Sequence, residues 1–209
     1  MTIVKDIYNS IFGKNYEAVW RQFSAENNGT YIVGKYDNLD SVEINYSNHK
    51  IVFDQYIHCQ VVGGTSYETE YTRIRLEFKS NDNLQLRLTK QGFIDNIGKL
   101  FGVQDIQIGD KAFDKRFMIK GTDEFKVQTL FSNEIIKDLI LAQSDIHLQI
   151  LDKEGIFKEP IQEGNVMLYY ISETEVKEIG QLNSLLKLYT TLVDQLTKLS
   201  SAKPIKASS

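Results

Sequence analysis

Residues 71–89 read Y-T-R-I-R-L-E-F-K-S-N-D-N-L-Q-L-R-L-T. Thr72, Ile74, Leu76 and Phe78 alternate with Arg73, Arg75 and Glu77, and Leu84, Leu86 and Leu88 alternate with Gln85 and Arg87. A period of two sends successive side chains to opposite faces, so each run predicts a strand with one apolar and one polar face. The connecting Lys79-Ser80-Asn81-Asp82-Asn83 is rich in turn formers and predicts a hairpin. The apolar residues then face a core, and Arg73, Arg75 and Arg87 share the solvent face.

Upstream, Val42, Ile44 and Tyr46 alternate with Glu43, Asn45 and Ser47. Ser47-Asn48-His49 is turn-like, and residues 51–58 return as a strand. With the short apolar run at 31–35, these make an antiparallel meander. Before it, Ile3, Val4, Ile7, Tyr8 and Ile11 suggest a short helix. Asn15 can cap a second one, whose Tyr16, Val19, Trp20 and Phe23 fall on one face. Asn28-Gly29 stops it.

Downstream, residues 92–101 form an amphipathic helix and 106–108 a short strand. Residues 113–120 read as a strand, and 123–143 as a helix broken near Ser132. Strands follow at 146–151 and 166–171. Ser172-Glu173-Thr174-Glu175 has capping-box spacing and opens a last helix running to about Ser200. Its Leu182, Leu185, Tyr189, Leu192, Leu196 and Leu199 could form a dimer seam, but Leu186, Leu188 and Val193 widen the stripe and favour packing on a sheet. The fold class is therefore α+β: a curved antiparallel sheet of about seven or eight strands, with helices on one face including the long C-terminal one. Residues 1–200 form one domain, with two packed halves (1–91 and 92–200) as the alternative, and 201–209 form a disordered tail.

A net charge of −4 over 209 residues gives no general attraction to nucleic acid. No stretch approaches the roughly 20 apolar residues that span a bilayer, and the N-terminus lacks the apolar core of a signal peptide. Cys59 is the single cysteine, which suits a reducing compartment; the location expected is the cytoplasm. The segment from Gly92 to Gly102 has an apolar face of Phe93, Ile94, Ile97, Leu100 and Phe101. With one lysine on its polar face it would give only weak membrane-surface contact.

The charged candidates divide into two groups. Asp105, Asp110 and Asp114 have short spacing that oxygen-liganded cations use. Lys111, Lys115 and Arg116 stand among them and neutralise them, so Gly109-Asp110 reads as a turn and Asp114 and Arg116 as charges on one strand face. Arg73, Arg75 and Arg87 could take a phosphate or carboxylate, or pair across strands with Glu77 and Glu70. His49, His58, His147 and Cys59 lack metal-ligand spacing. His58 and Cys59 are neighbours on a strand, point to opposite faces, and do not make a nucleophile and its base. Cys59 reads as a small buried or half-buried residue. No metal, cofactor or catalytic residue is expected. The ligand or interaction candidates are Arg73, Arg75, Arg87, Asp110, Asp114 and Arg116.

Residues 104–121 read Q-D-I-Q-I-G-D-K-A-F-D-K-R-F-M-I-K-G. Together with F-G-K at 12–14, Y-T-R-I-R at 71–75, G-F-I-D-N-I-G-K-L-F-G at 92–102 and L-F-S-N-E-I at 130–135, this resembles an uncharacterised bacterial protein family of about this length. The resemblance covers most of the chain and implies a bacterial source, but no activity and no site residue. At 152–164, where that family suggests an aromatic-rich loop with a Trp, this chain has Ile156. Two function classes follow. The preferred one is a non-catalytic binding or protein-interaction module with an unknown protein partner or small ligand, a homodimer included. The other is a small-molecule carrier or enzyme whose site is assembled from scattered polar residues in a groove under the helices.

Overall fold

The computed structural model describes residues 15–34, 39–91, 104–152, 161–173 and 176–205. The first predicted helix, the segment from Gly92 to Gly102 and most of the 152–164 loop lie outside the described residues. The helices are α1 (Asn15–Glu26), α2 (Lys111–Arg116), α3 (Glu124–Phe131), α4 (Glu134–Leu141) and α5 (Ile179–Lys198). The strands are β1 (Thr30–Ile32), β2 (Ser41–Tyr46), β3 (His49–Val62), β4 (Thr65–Ser80), β5 (Leu86–Lys90), β6 (Gln104–Ile106), β7 (Phe117–Gly121), β8 (His147–Leu151), β9 (Asn165–Ser172) and β10 (Ala202–Lys203). They form one ten-stranded antiparallel sheet in the order β1-β2-β3-β4-β9-β8-β5-β7-β6, with β10 on the end of β4. The fold is α+β with the long C-terminal helix on the sheet, as the periodicities predict. Among the described residues no helix is long and apolar enough to cross a membrane.

The register explains the core. Directly opposed residues of an antiparallel pair point to the same face. Phe53, Ile74, Tyr170, Leu148, Leu88 and Ile119 therefore make one row across the sheet, and Ile51, Leu76, Leu168, Ile150 and Leu86 make the next. All of them are buried. Helix α5 covers these rows with Leu182, Leu185, Leu188, Tyr189, Leu192 and Leu196, and Tyr189 Oη donates to the Ile74 carbonyl at 2.7 Å. Trp20 of α1 is fully buried, and its indole N–H reaches the Val176 carbonyl at 3.2 Å. The wide apolar stripe of α5 is thus spent inside the chain.

Four expectations are corrected. The 71–89 segment is not a hairpin: β9 and β8 stand between β4 and β5. Its turn-rich link is tied elsewhere, because Asp82 accepts from Leu84 N and Ser201 Oγ and pairs with Lys126 of α3. Residues 113–120 are not all strand. Asp110 accepts from the Ala112 and Phe113 amides and caps α2, so the chain completes a helix before β7 begins. The start of the expected tail pairs with β4, Ala202 opposite Ser80 and Lys203 opposite Lys79. And β3 and β4 are far longer than their apolar runs, meeting at a two-residue turn of Gly63 (φ 59°) and Gly64 (φ 82°). Positive φ at both turn residues suits glycine and matches the twist of a tight hairpin.

Candidate functional site

Three of the six charged candidates hold the frame. Asp110 caps α2 and also accepts from Lys137 Nζ at 3.2 Å, and those donors hold its carboxyl below the usual range, the Phe113 amide first. Asp114 accepts from Ile108 N at 3.0 Å and Gly109 N at 3.1 Å, closing the loop before the helix. Arg116 donates to the Leu141 and Gln143 carbonyls at 3.0 and 2.9 Å, satisfying the C-terminal end of α4. These charges lie on a helix and its caps rather than on a strand face. Among the described residues no group of three or more His, Cys, Asp or Glu could hold a metal ion.

The other three lie on the sheet face turned away from α5, and they are not a solvent stripe. Arg73 and Arg87 are only 6% and 7% exposed. Arg73 makes a two-pronged contact with Asp54, Nε and Nη2 each at 2.8 Å, and Arg75 Nη2 binds the same carboxylate. The guanidinium of Arg73 also lies 4.3 Å from the centre of the Tyr56 ring. Arg87 is three strands away, about 14 Å at the usual strand spacing. It stands in one cross-strand row with Gln149, Tyr169 and Arg75, so the row runs from β5 back to the arginine cluster on β4. His147 is opposite Thr89 and Ile171 in the adjacent row. Burial, and then the charge of Arg87, push its pKa down to about 3. Gln149 Nε2 meets His147 Nε2. A neutral ring accepts there, whereas a charged ring would set two donors face to face. The expected pairing of Glu77 with Arg87 is absent: Glu77 accepts from Asn165 Nδ2 at 2.8 Å.

Beyond Asp54 and Thr72, β3 and β4 pair with each other and with no other described strand. Residues 56–71 are thus a two-stranded arm reaching past the sheet. Its tip exposes Val61 (74%), Val62 (61%) and Tyr67 (57%). Cys59 lies on this arm and is exposed, not buried, with Sγ 3.8 Å from Glu68 Oε1. The slight desolvation at this exposed site and the neighbouring Glu68 carboxylate push its thiol pKa up, which disfavours the nucleophilic thiolate. Nothing in a polar run such as Q-V-V-G-G-T-S-Y-E-T-E betrays a strand by alternation; the Gly-Gly pair was the available signal.

A concave feature away from the arm was invisible in the sequence because its walls come from distant segments. It is a groove of about 590 Å³ between the end of α1, the strand β2 and the middle of α5. Gly29 brings α1 close to β2; a Cβ there would stand 3.0 Å from both Glu43 O and Ile44 Cγ1. Asn27 Nδ2 donates to the Phe23 carbonyl and to Asn183 Oδ1, each at 2.9 Å, and so joins α1 to α5 across the groove. Tyr46 Oη donates to Asp194 Oδ2 at 2.9 Å and is fixed against the same helix.

No family model and no curated protein matches the chain. Among solved structures, it is similar in fold to the crystal structure of the mycobacterial trehalose monomycolate transport factor A. The match has a TM-score of 0.52 and 11% identity, and covers 93% of this chain and 99% of that one. The likeness concerns the fold: the helix-backed antiparallel sheet is shared over nearly the whole chain.

Proposed function

We propose that the chain is a non-catalytic binding module that engages a protein partner through the β3–β4 arm. The observation that carries this reading is the arm itself. A two-stranded ribbon is marginal in water by itself, and this one holds two valines and a tyrosine in solvent at its tip. Exposed apolar groups on a projecting ribbon lower their free energy when another chain covers them. Glu68 stands beside Cys59 on the face that also carries Ile57 and Val61, so the complementary surface is apolar with basic residues at its edge. The ribbon edges also offer backbone groups to an added strand. The charged candidates speak against catalysis on the sheet, since Asp54, Arg73 and Arg75 satisfy one another. A small-molecule carrier is the second reading. The open groove favours it, and so does the fold shared with a transport factor.

The test is site-specific photocrosslinking in cells that make the protein. A benzophenone side chain is placed at Val61, on the face shared with Glu68, and, as control, at Lys198 on the exposed end of α5. A discrete adduct from position 61 that is absent from position 198 supports the arm as the contact. An adduct of twice the chain's mass would identify the partner as a second copy. Equal or absent crosslinking at the two positions overturns the reading.

A further inference from the structure

The groove between α1, β2 and α5 has a chemistry of its own, independent of the arm. Its polar walls carry carboxamides: Asn27 and Asn28 from the end of α1 and Asn183 from α5. We propose that it binds a neutral polyhydroxylated ligand, a mono- or disaccharide or a headgroup of that kind.

Three observations carry this. The first is hydrogen-bonding capacity. A carboxamide offers two donors and an acceptor with two lone pairs, and a row of hydroxyls offers both in return. The Asn27–Asn183 contact uses the amide of Asn27 and the oxygen of Asn183. Among the described residues, no hydrogen bond takes up the Asn27 oxygen or the Asn183 amide, so the fixed pair still presents one acceptor and one donor. Asn28 is exposed beside them. The second is charge. The lining holds one acid, Glu26, and one base, Lys187. Glu26 already accepts from Gln22 Nε2 at 2.8 Å. A site for a phosphate or a carboxylate calls for convergent cations, and this lining has one. The third is form. Leu186 and Ile44 are buried in the floor, 9% and 4% exposed, and the Tyr46 ring is held by Asp194. An apolar floor with an aromatic wall and amides at the rim suits the mixed C–H and O–H surface of a sugar ring. The volume of about 590 Å³ falls within the roughly 300–1,000 Å³ of small-molecule sites.

Titration of the ¹⁵N-labelled full chain with sucrose, maltose and trehalose tests the proposal by NMR. The expected result is a saturable shift of the Asn27, Asn28 and Asn183 side-chain amide signals with at least one of these sugars. Asn28→Gly, which removes a carboxamide and keeps the positive φ of 51° at that position, is expected to weaken that binding about tenfold, as the loss of one or two well-placed hydrogen bonds would. Val61→Ser on the arm is expected to leave it unchanged, so the groove and the arm fail or succeed separately. Sodium sulfate serves as the anion probe. The proposal is overturned if the sugars leave these signals in place, if Asn28→Gly binds as tightly as the natural chain, or if sulfate alone shifts the same signals.

Discussion

Acidification should weaken the fold through His147, with a size that follows from its place in the sheet. The ring is 5% exposed on β8, faces Ile171 and Thr89 across the neighbouring strands, and has Arg87 as the nearby charge. In the native state its pKa is pushed down to about 3, by burial first and by Arg87 second. In the unfolded chain it titrates near its ordinary value of about 6.5. Between those values the unfolded state binds a proton that the native state does not. Stability from the neutral ring is therefore complete above about pH 6.5 and falls as pH drops toward 3, by about 1.4 kcal/mol per unit. At pH 5 the loss is about 2 kcal/mol. Urea unfolding followed by circular dichroism at pH 7, 6 and 5 measures it. His49 is also pushed down by burial and adds to the same slope, so the comparison is made in a His49→Asn background. There, His147→Asn should flatten the dependence between pH 7 and 5, whatever it does to stability at pH 7. If both chains lose stability equally over that range, the native ring titrates near its ordinary value, water reaches it, and the argument from burial is wrong.

Other substitutions test the two faces and the groove wall. Leu76 is 1% exposed in the centre of the apolar rows, so Leu76→Ala should cost about 2–5 kcal/mol in chemical denaturation. Asp54→Asn leaves Arg73 and Arg75 without their shared carboxylate and should cost about 3–5 kcal/mol; a change below about 1 kcal/mol would mean that the cluster is solvated. Gly29→Ala brings a methyl within 3.0 Å of Glu43 O and Ile44 Cγ1 and should lower stability by about 1–3 kcal/mol, with backbone shifts confined to α1 and β2.

The local patterns determined the elements and their inward faces. Alternation placed Thr72, Ile74, Leu76, Phe78, Leu84, Leu86 and Leu88 in the core, where all are buried. The breadth of the α5 stripe placed that helix on the sheet, and the break near Ser132 is the cap of α4 at Asn133. These features depend on residues a few positions apart, and periodicity reports such neighbours directly. Strand order does not. Nothing in residues 71–89 says that β8 and β9, which begin only at His147 and Asn165, separate β4 from β5. The polar face misled for the same reason. Arg73 and Arg87 alternate with apolar residues as solvent-facing charges would, yet both are buried, Arg73 against Asp54 and the Tyr56 ring. Burial of a charge is decided by what the rest of the chain brings to it, here Asp54 from the neighbouring strand. The arm and the groove were likewise decided by tertiary structure. One is a matter of where β2 and β9 stop, and the other brings Asn27, Asn183 and Tyr46 together only when α1, β2 and α5 have packed.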